Sequence, residues 1–115
     1  MKEIFLFALL VFMVKTINAQ LITTNPAIPT ADKPVTITFD ATQGNAGMKG
    51  YTGNDVYAYT GVTTNVGKWQ FVKETSWLDN PADCKMTRIA TDKYQLTISP
   101  SIRAFYNVPD SLQIT

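Results

Sequence analysis

Pro34-Val35-Thr36-Ile37-Thr38-Phe39-Asp40 decides the fold class of this chain. Val35, Ile37 and Phe39 alternate with Thr36, Thr38 and Asp40. Successive side chains of a strand point to opposite faces, so this period makes one apolar face and one wet face. The same period returns in Lys93-Tyr94-Gln95-Leu96-Thr97-Ile98, where Tyr94, Leu96 and Ile98 share a face. Working outward, strands are expected over 55–60, 68–73 and 85–90, with a first strand over 21–24. Helical periodicity is nearly absent. Turn residues punctuate the strands at 25–34, 43–47, 50–54, 61–67 and 80–83, and Asp92-Lys93 looks like a tight hairpin tip. One short helix is expected near 101–106, with Pro100 at its start and Pro109 beyond its end. The spacing predicts an all-β antiparallel sandwich or barrel.

The first nineteen residues stand apart from that pattern. Met1-Lys2-Glu3 is a charged start, and residues 4–14 form an apolar run too short to span a bilayer as a helix but suited to a signal peptide. Cleavage is expected after Ala19, giving a chain of residues 20–115 that is secreted or held at the cell surface, with no membrane span once the signal is gone. An N-terminal membrane anchor is the competing reading of the run, which Lys15 closes early. Ser111-Leu112-Gln113-Ile114-Thr115 opens another alternating strand with no hairpin to close it, so the sandwich is expected to be incomplete at its C-terminal end. A small domain ending on an edge strand is the alternative.

Charge excludes one class of partner. Taking Lys2, Lys15 and Glu3 from ten basic and nine acidic residues leaves eight of each, so the exported chain is neutral. Nucleic acid and anionic membranes draw their affinity from a basic excess that is missing here. Cys84 is the single cysteine, which rules out an intrachain disulfide and leaves stability to the core. It reads as a small buried hydrophobe.

Composition also limits catalysis. With no histidine, imidazole base chemistry, Ser-His-Asp and Cys-His arrangements and histidine zinc sites are excluded. Asp40, Asp55, Glu74, Asp79, Asp83 and Asp92 could pair as in glycoside hydrolysis, but none sits in a motif, and each reads as a turn or solvent-face residue. Asn54-Asp55 with Asp40 offers only a weak calcium pattern without EF-hand spacing. No catalytic residue, metal or cofactor is expected.

The positive signal is aromatic. On a regular strand Tyr57 and Tyr59 project to one face about 7 Å apart, while Val56 and Ala58 take the other. Aromatic faces suit the C–H patches of a pyranose, and a phenol can also hydrogen-bond sugar hydroxyls. The pair could equally be core in a more crowded sandwich. Trp69 shares parity with Phe71, which favours the core, yet follows the 61–67 loop closely enough to lean toward a ligand. Trp77 lies in a loop and is the lower-ranked candidate.

Val56-Tyr57-Ala58-Tyr59 with Trp69 downstream resembles the starch-binding modules of carbohydrate-binding families 25 and 26. Residues 37–41, 61–65 and 101–106 are similar to the N-terminal immunoglobulin-like domain of secreted bacterial α-amylase-type proteins. The resemblance implies an immunoglobulin-like antiparallel β-sandwich that binds α-glucan polysaccharide without catalysis, placed before a C-terminal glycoside hydrolase domain. Tyr57, Tyr59 and Trp69 are its implied ligand residues, and Trp77 has no secure counterpart. A structural spacer domain with no ligand is the rival expectation.

Overall fold

The structure, a computed structural model, describes residues 20–74, 76 and 78–115. The expected signal peptide and Trp77 lie outside the described residues.

Among the described residues, six strands form two antiparallel sheets. The larger has the order β1 (Ile22–Asn25), β2 (Val35–Asp40), β6 (Lys93–Ile98), β5 (Thr87–Ala90). The alternation of β2 and β6 sets their register, because a one-residue slip would turn every apolar side chain to water. Val35 pairs with Ile98, Ile37 with Leu96 and Phe39 with Tyr94. The other face carries Thr36 opposite Thr97, with hydroxyls 3.3 Å apart, and Thr38 opposite Gln95, whose amide donates to the threonine hydroxyl at 3.2 Å. The expected alternating strands are therefore present and paired with each other.

The smaller sheet is the hairpin β3 (Val62–Thr64) and β4 (Gly67–Gln70). It occupies the region expected as a loop: the β-branched run Val62-Thr63-Thr64 is a short strand, and Asn65-Val66 is the turn. Residues 113–115 lie along its free edge. Asn65 N–H donates to the Gln113 carbonyl and Thr115 N–H to the Thr63 carbonyl, each at 2.9 Å.

Three expected strands are shorter than their patterns, and that over 85–90 keeps only Thr87–Ala90. Over 55–60 the backbone makes a single bridge, Tyr57 to Lys85, flanked by Ala58 N–H to Cys84 carbonyl at 2.9 Å and Met86 N–H to Val56 carbonyl at 2.8 Å. Ala82–Cys84 winds into a 3-10 turn after Pro81, so the partner strand ends there and the ladder stops with it. The strand expected over 68–73 ends at Gln70, next to Phe71 with φ of 52°; Trp69, at φ 55°, lies within β4 in the irregular stretch between the Thr64–Gly67 and Val62–Gln70 pairs. The tip between β5 and β6 is Thr91-Asp92 and not Asp92-Lys93, since Lys93 already pairs with Ala90. Asp92, at φ 60°, tolerates that turn and is tied down by its own oxygens: its carbonyl accepts from Ala41 N–H at 2.8 Å and its carboxylate from Gly50 N–H at 2.7 Å.

The helix α1 (Ile102–Tyr106) falls where expected. Ser101 caps it through its hydroxyl, which accepts from Ala104 N–H at 3.0 Å, and Asn107 ends it in the left-handed conformation. Arg103 donates to the Pro109 and Leu112 carbonyls at 2.9 Å each, holding the following segment against the helix. The core joins the inner face of the large sheet to the rest: Val35, Tyr94, Leu96 and Ile98 pack with Val56, Val62, Met86, Tyr106 and Val108.

Candidate functional site

The segment 56–60 crosses the inner face of β2 and is anchored on one side by its two hydrogen bonds to Cys84 and Met86. Val56 is buried, while Tyr57, Ala58, Tyr59 and Thr60 are all half-buried. The clean division expected of a strand, two tyrosines out and two small residues in, is absent because the segment is not a regular strand. Together with Ile37, Phe39 and Met86 it borders an apolar cleft of about 430 Å³.

Tyr59 and Trp69 come together. Their ring centroids are 5.6 Å apart with planes 20° from parallel, an offset stack of the kind aromatic quadrupoles favour. Trp69 is 56% exposed, so the ring is a surface feature supported from below by Tyr59. Its parity with Phe71 had pointed to the core, but parity carries meaning only along a continuous strand, and the left-handed backbone at both positions breaks it. Phe71 is exposed as well. Tyr57 lies on the same segment with its backbone bridged to Lys85.

Tyr57, Ala58, Tyr59, Glu74 and Asn80 border a smaller pocket of about 60 Å³. Glu74 is buried, contrary to the expectation of a turn or solvent-face carboxylate. One of its carboxylate oxygens accepts from Thr60 N–H at 3.3 Å. The other, Oε1, has no hydrogen-bond partner among the described residues. Burial pushes the Cys84 thiol up to about 12, with a further rise from the neighbouring Glu74 carboxyl. Glu74 was missed because residues 71–76 have no alternation from which burial can be read. Lys73, next in sequence, bridges Asp83 at 2.7 Å and sits 4.5 Å from the Phe105 ring centroid, which fixes where the chain enters this corner.

No protein-family model matches the chain, and no curated protein matches it.

The acidic residues considered for calcium are otherwise engaged. Asp40 accepts from the Thr42 hydroxyl at 2.6 Å and its N–H at 3.0 Å, and these bonds hold its carboxyl below the usual aspartate value. Asp55 accepts from the Tyr51 hydroxyl. Among the described residues no group of three or more His, Cys, Asp or Glu side chains is placed to hold a metal ion, and no helix is long and apolar enough to cross a membrane.

Proposed function

We propose that this chain is a non-catalytic module of a secreted glycoside hydrolase system that binds α-glucan, built as an immunoglobulin-like β-sandwich. The observation that carries the proposal is the exposed Trp69 ring stacked on Tyr59. A tryptophan more than half exposed gives up much of the burial energy its surface could supply, about 25 cal/mol per Å² of apolar area. Trp69 is also held in a backbone conformation that costs a bulky residue roughly 1–2 kcal/mol. Backbone strain of this kind gathers at binding sites, where the surrounding structure holds it for a purpose. A rigid flat ring needs little ordering to receive a pyranose face, and the neighbouring Tyr57 and Tyr59 hydroxyls can orient the sugar. The neutral charge of the exported chain suits an uncharged polymer.

Trp69 is the principal contact and Tyr59 its support, with Tyr57 bordering the site. Sugar hydroxyls exchange water hydrogen bonds for protein ones at little net gain, so the stacked faces supply most of the affinity. Removing one ring is expected to cost about 1–2 kcal/mol, on the order of a tenfold loss. Tyr59→Ala and Trp69→Ala in the exported protein, shown to be folded by circular dichroism, should migrate in starch-containing gels nearly as they do without starch. If both folded variants are retarded as strongly as the unmodified protein, the spacer reading takes the place of this one.

A further inference from the structure

We propose that β1 is a self-association edge: two copies of this chain pair antiparallel through Ile22–Asn25, with Ile22 opposite the partner's Thr24, and join their four-stranded sheets into one. The inference stands apart from the glucan reading, and either can fail without the other.

β1 is the outer strand of the large sheet. Asp40 N–H donates to the Leu21 carbonyl at 2.9 Å, in step with the register that pairs Ile22 with Phe39 and Thr23 with Thr38. Residues of an antiparallel strand bond to one side and the other in turn, so Thr23 and Asn25 direct their N–H and C=O to β2, and Ile22 and Thr24 turn theirs to the free side. There, neither residue has a backbone hydrogen bond among the described residues. The side is open, since Gln20, Ile22, Thr23, Thr24 and Ala27 border a groove of about 320 Å³. Leu21 and Ile22 are 42% and 47% exposed. Pro26, which has no N–H, follows the last residue of the strand.

Such an edge fits another extended strand, which offers a donor and an acceptor at alternate residues. Charge selects the second copy. Residues 20–31 carry no charged side chain, so the edge meets its own copy without repulsion. β5, the opposite edge of the same sheet, carries exposed Arg88, and β4 of the small sheet carries exposed Lys68. Either would bring like charges together if paired with itself. Two-fold symmetry then sets the register. With Thr23 on the axis, Ile22 bonds with the partner's Thr24 and Thr24 with the partner's Ile22, two hydrogen bonds in each pair, which uses every outward group of the strand. Placing Ile22 or Thr24 on the axis leaves only one such pair. A single strand pair covers less than a standard interface of about 1,600 Å², so the dimer is weak and forms as concentration rises.

Sedimentation equilibrium of the protein over a micromolar to millimolar series tests this, and the unmodified chain should pass from monomer to dimer. Thr23 is exposed, and across the axis the two Thr23 Cα atoms would lie about 4.5 Å apart. Thr23→Lys and Thr23→Glu, each shown to be folded by circular dichroism, set like charges face to face and should dimerise at least about tenfold more weakly. Mixed in equal amounts they set Lys against Glu, and should associate at least about tenfold more tightly than either alone. Damage to the fold could not produce that recovery. Thr87→Lys, on the opposite edge of the sheet, should leave dimerisation unchanged. A chain that stays monomeric throughout overturns the inference. So does unchanged association of the Thr23 variants, a mixture no tighter than its components, or a loss in Thr87→Lys equal to that in Thr23→Lys. Should a charged variant fail to fold, Thr23→Cys takes its place with diamide, which is reduced to the hydrazine as two thiols become one disulfide. A Cα separation of about 4.5 Å permits that bond, so a disulfide-linked dimer is expected and its absence overturns the inference.

Discussion

Glycine is normally a poorer residue than alanine within a β-hairpin, by roughly 0.5–1 kcal/mol, because it loses more chain entropy on folding. At position 69 the order should reverse. Both Trp69→Ala and Trp69→Gly remove the covered part of the indole, about 100 Å² when 44% of a large aromatic surface is shielded, or roughly 2.5 kcal/mol, together with about 1 kcal/mol from the Tyr59 stack. That loss is common to the two. Alanine must still occupy φ 55°, at a cost of about 1–2 kcal/mol, whereas glycine adopts it freely. The difference leaves Trp69→Gly more stable than Trp69→Ala by up to about 1.5 kcal/mol. Pulse proteolysis of the protein across a urea series would place the two midpoints, with Lys68→Ala and Lys68→Gly as the neighbouring control expected in the usual order. Both Trp69 variants should lose starch retention equally. If alanine is the more stable at both positions, Trp69 is not held in a left-handed conformation, and strain ceases to be a reason for assigning it to the ligand.

Two further outcomes are expected. With its thiol pushed up to about 12 by burial, Cys84 should resist iodoacetamide at pH 8 in the native protein and react once urea unfolds it; native labelling at the unfolded rate would refute the burial. Because the folded value lies above the ordinary 9.0, the thiol favours the native state below pH 9, and that contribution should fade between pH 9 and about 12. Residues 20–115 expressed alone should self-associate, since the cleft leaves Ile37 and Phe39 only partly covered and Ile22 47% exposed. A monodisperse, monomeric sample with one sharp melt would refute the expected self-association.

The large sheet was legible because its signal is strictly local. Val35, Ile37 and Phe39 against Tyr94, Leu96 and Ile98 is a period-2 pattern written twice, and burying both faces together admits one register. Pro100 and Pro109 marked α1 for the same reason, as proline bounds a short helix through its neighbours in sequence alone. Strand length was legible only where the partner strand also continued. Nothing in Val56-Tyr57-Ala58-Tyr59 says that its partner winds into a 3-10 turn at Ala82–Cys84, so the pattern promised a strand and the backbone formed one bridge.

At the site, the aromatic residues were visible as a set but their arrangement was not. Parity assigned Tyr57 with Tyr59 and Trp69 with Phe71, whereas the structure stacks Tyr59 with Trp69 across two segments. The left-handed backbone at Trp69 and Phe71 is the common cause of both departures. At Phe71 it follows the last residue of β4, and at Trp69 it lies in the irregular stretch of the β3–β4 pairing, which takes the ring out of strand alternation so that the indole can lie on Tyr59 with its outer part in water. A tryptophan that followed the strand period would have faced the core with Phe71 and left Tyr59 unsupported. The irregular pairing of β3 with β4 and the exposed, stacked ring thus meet at Trp69, and the Trp69→Gly and Trp69→Ala pair tests the backbone angle there.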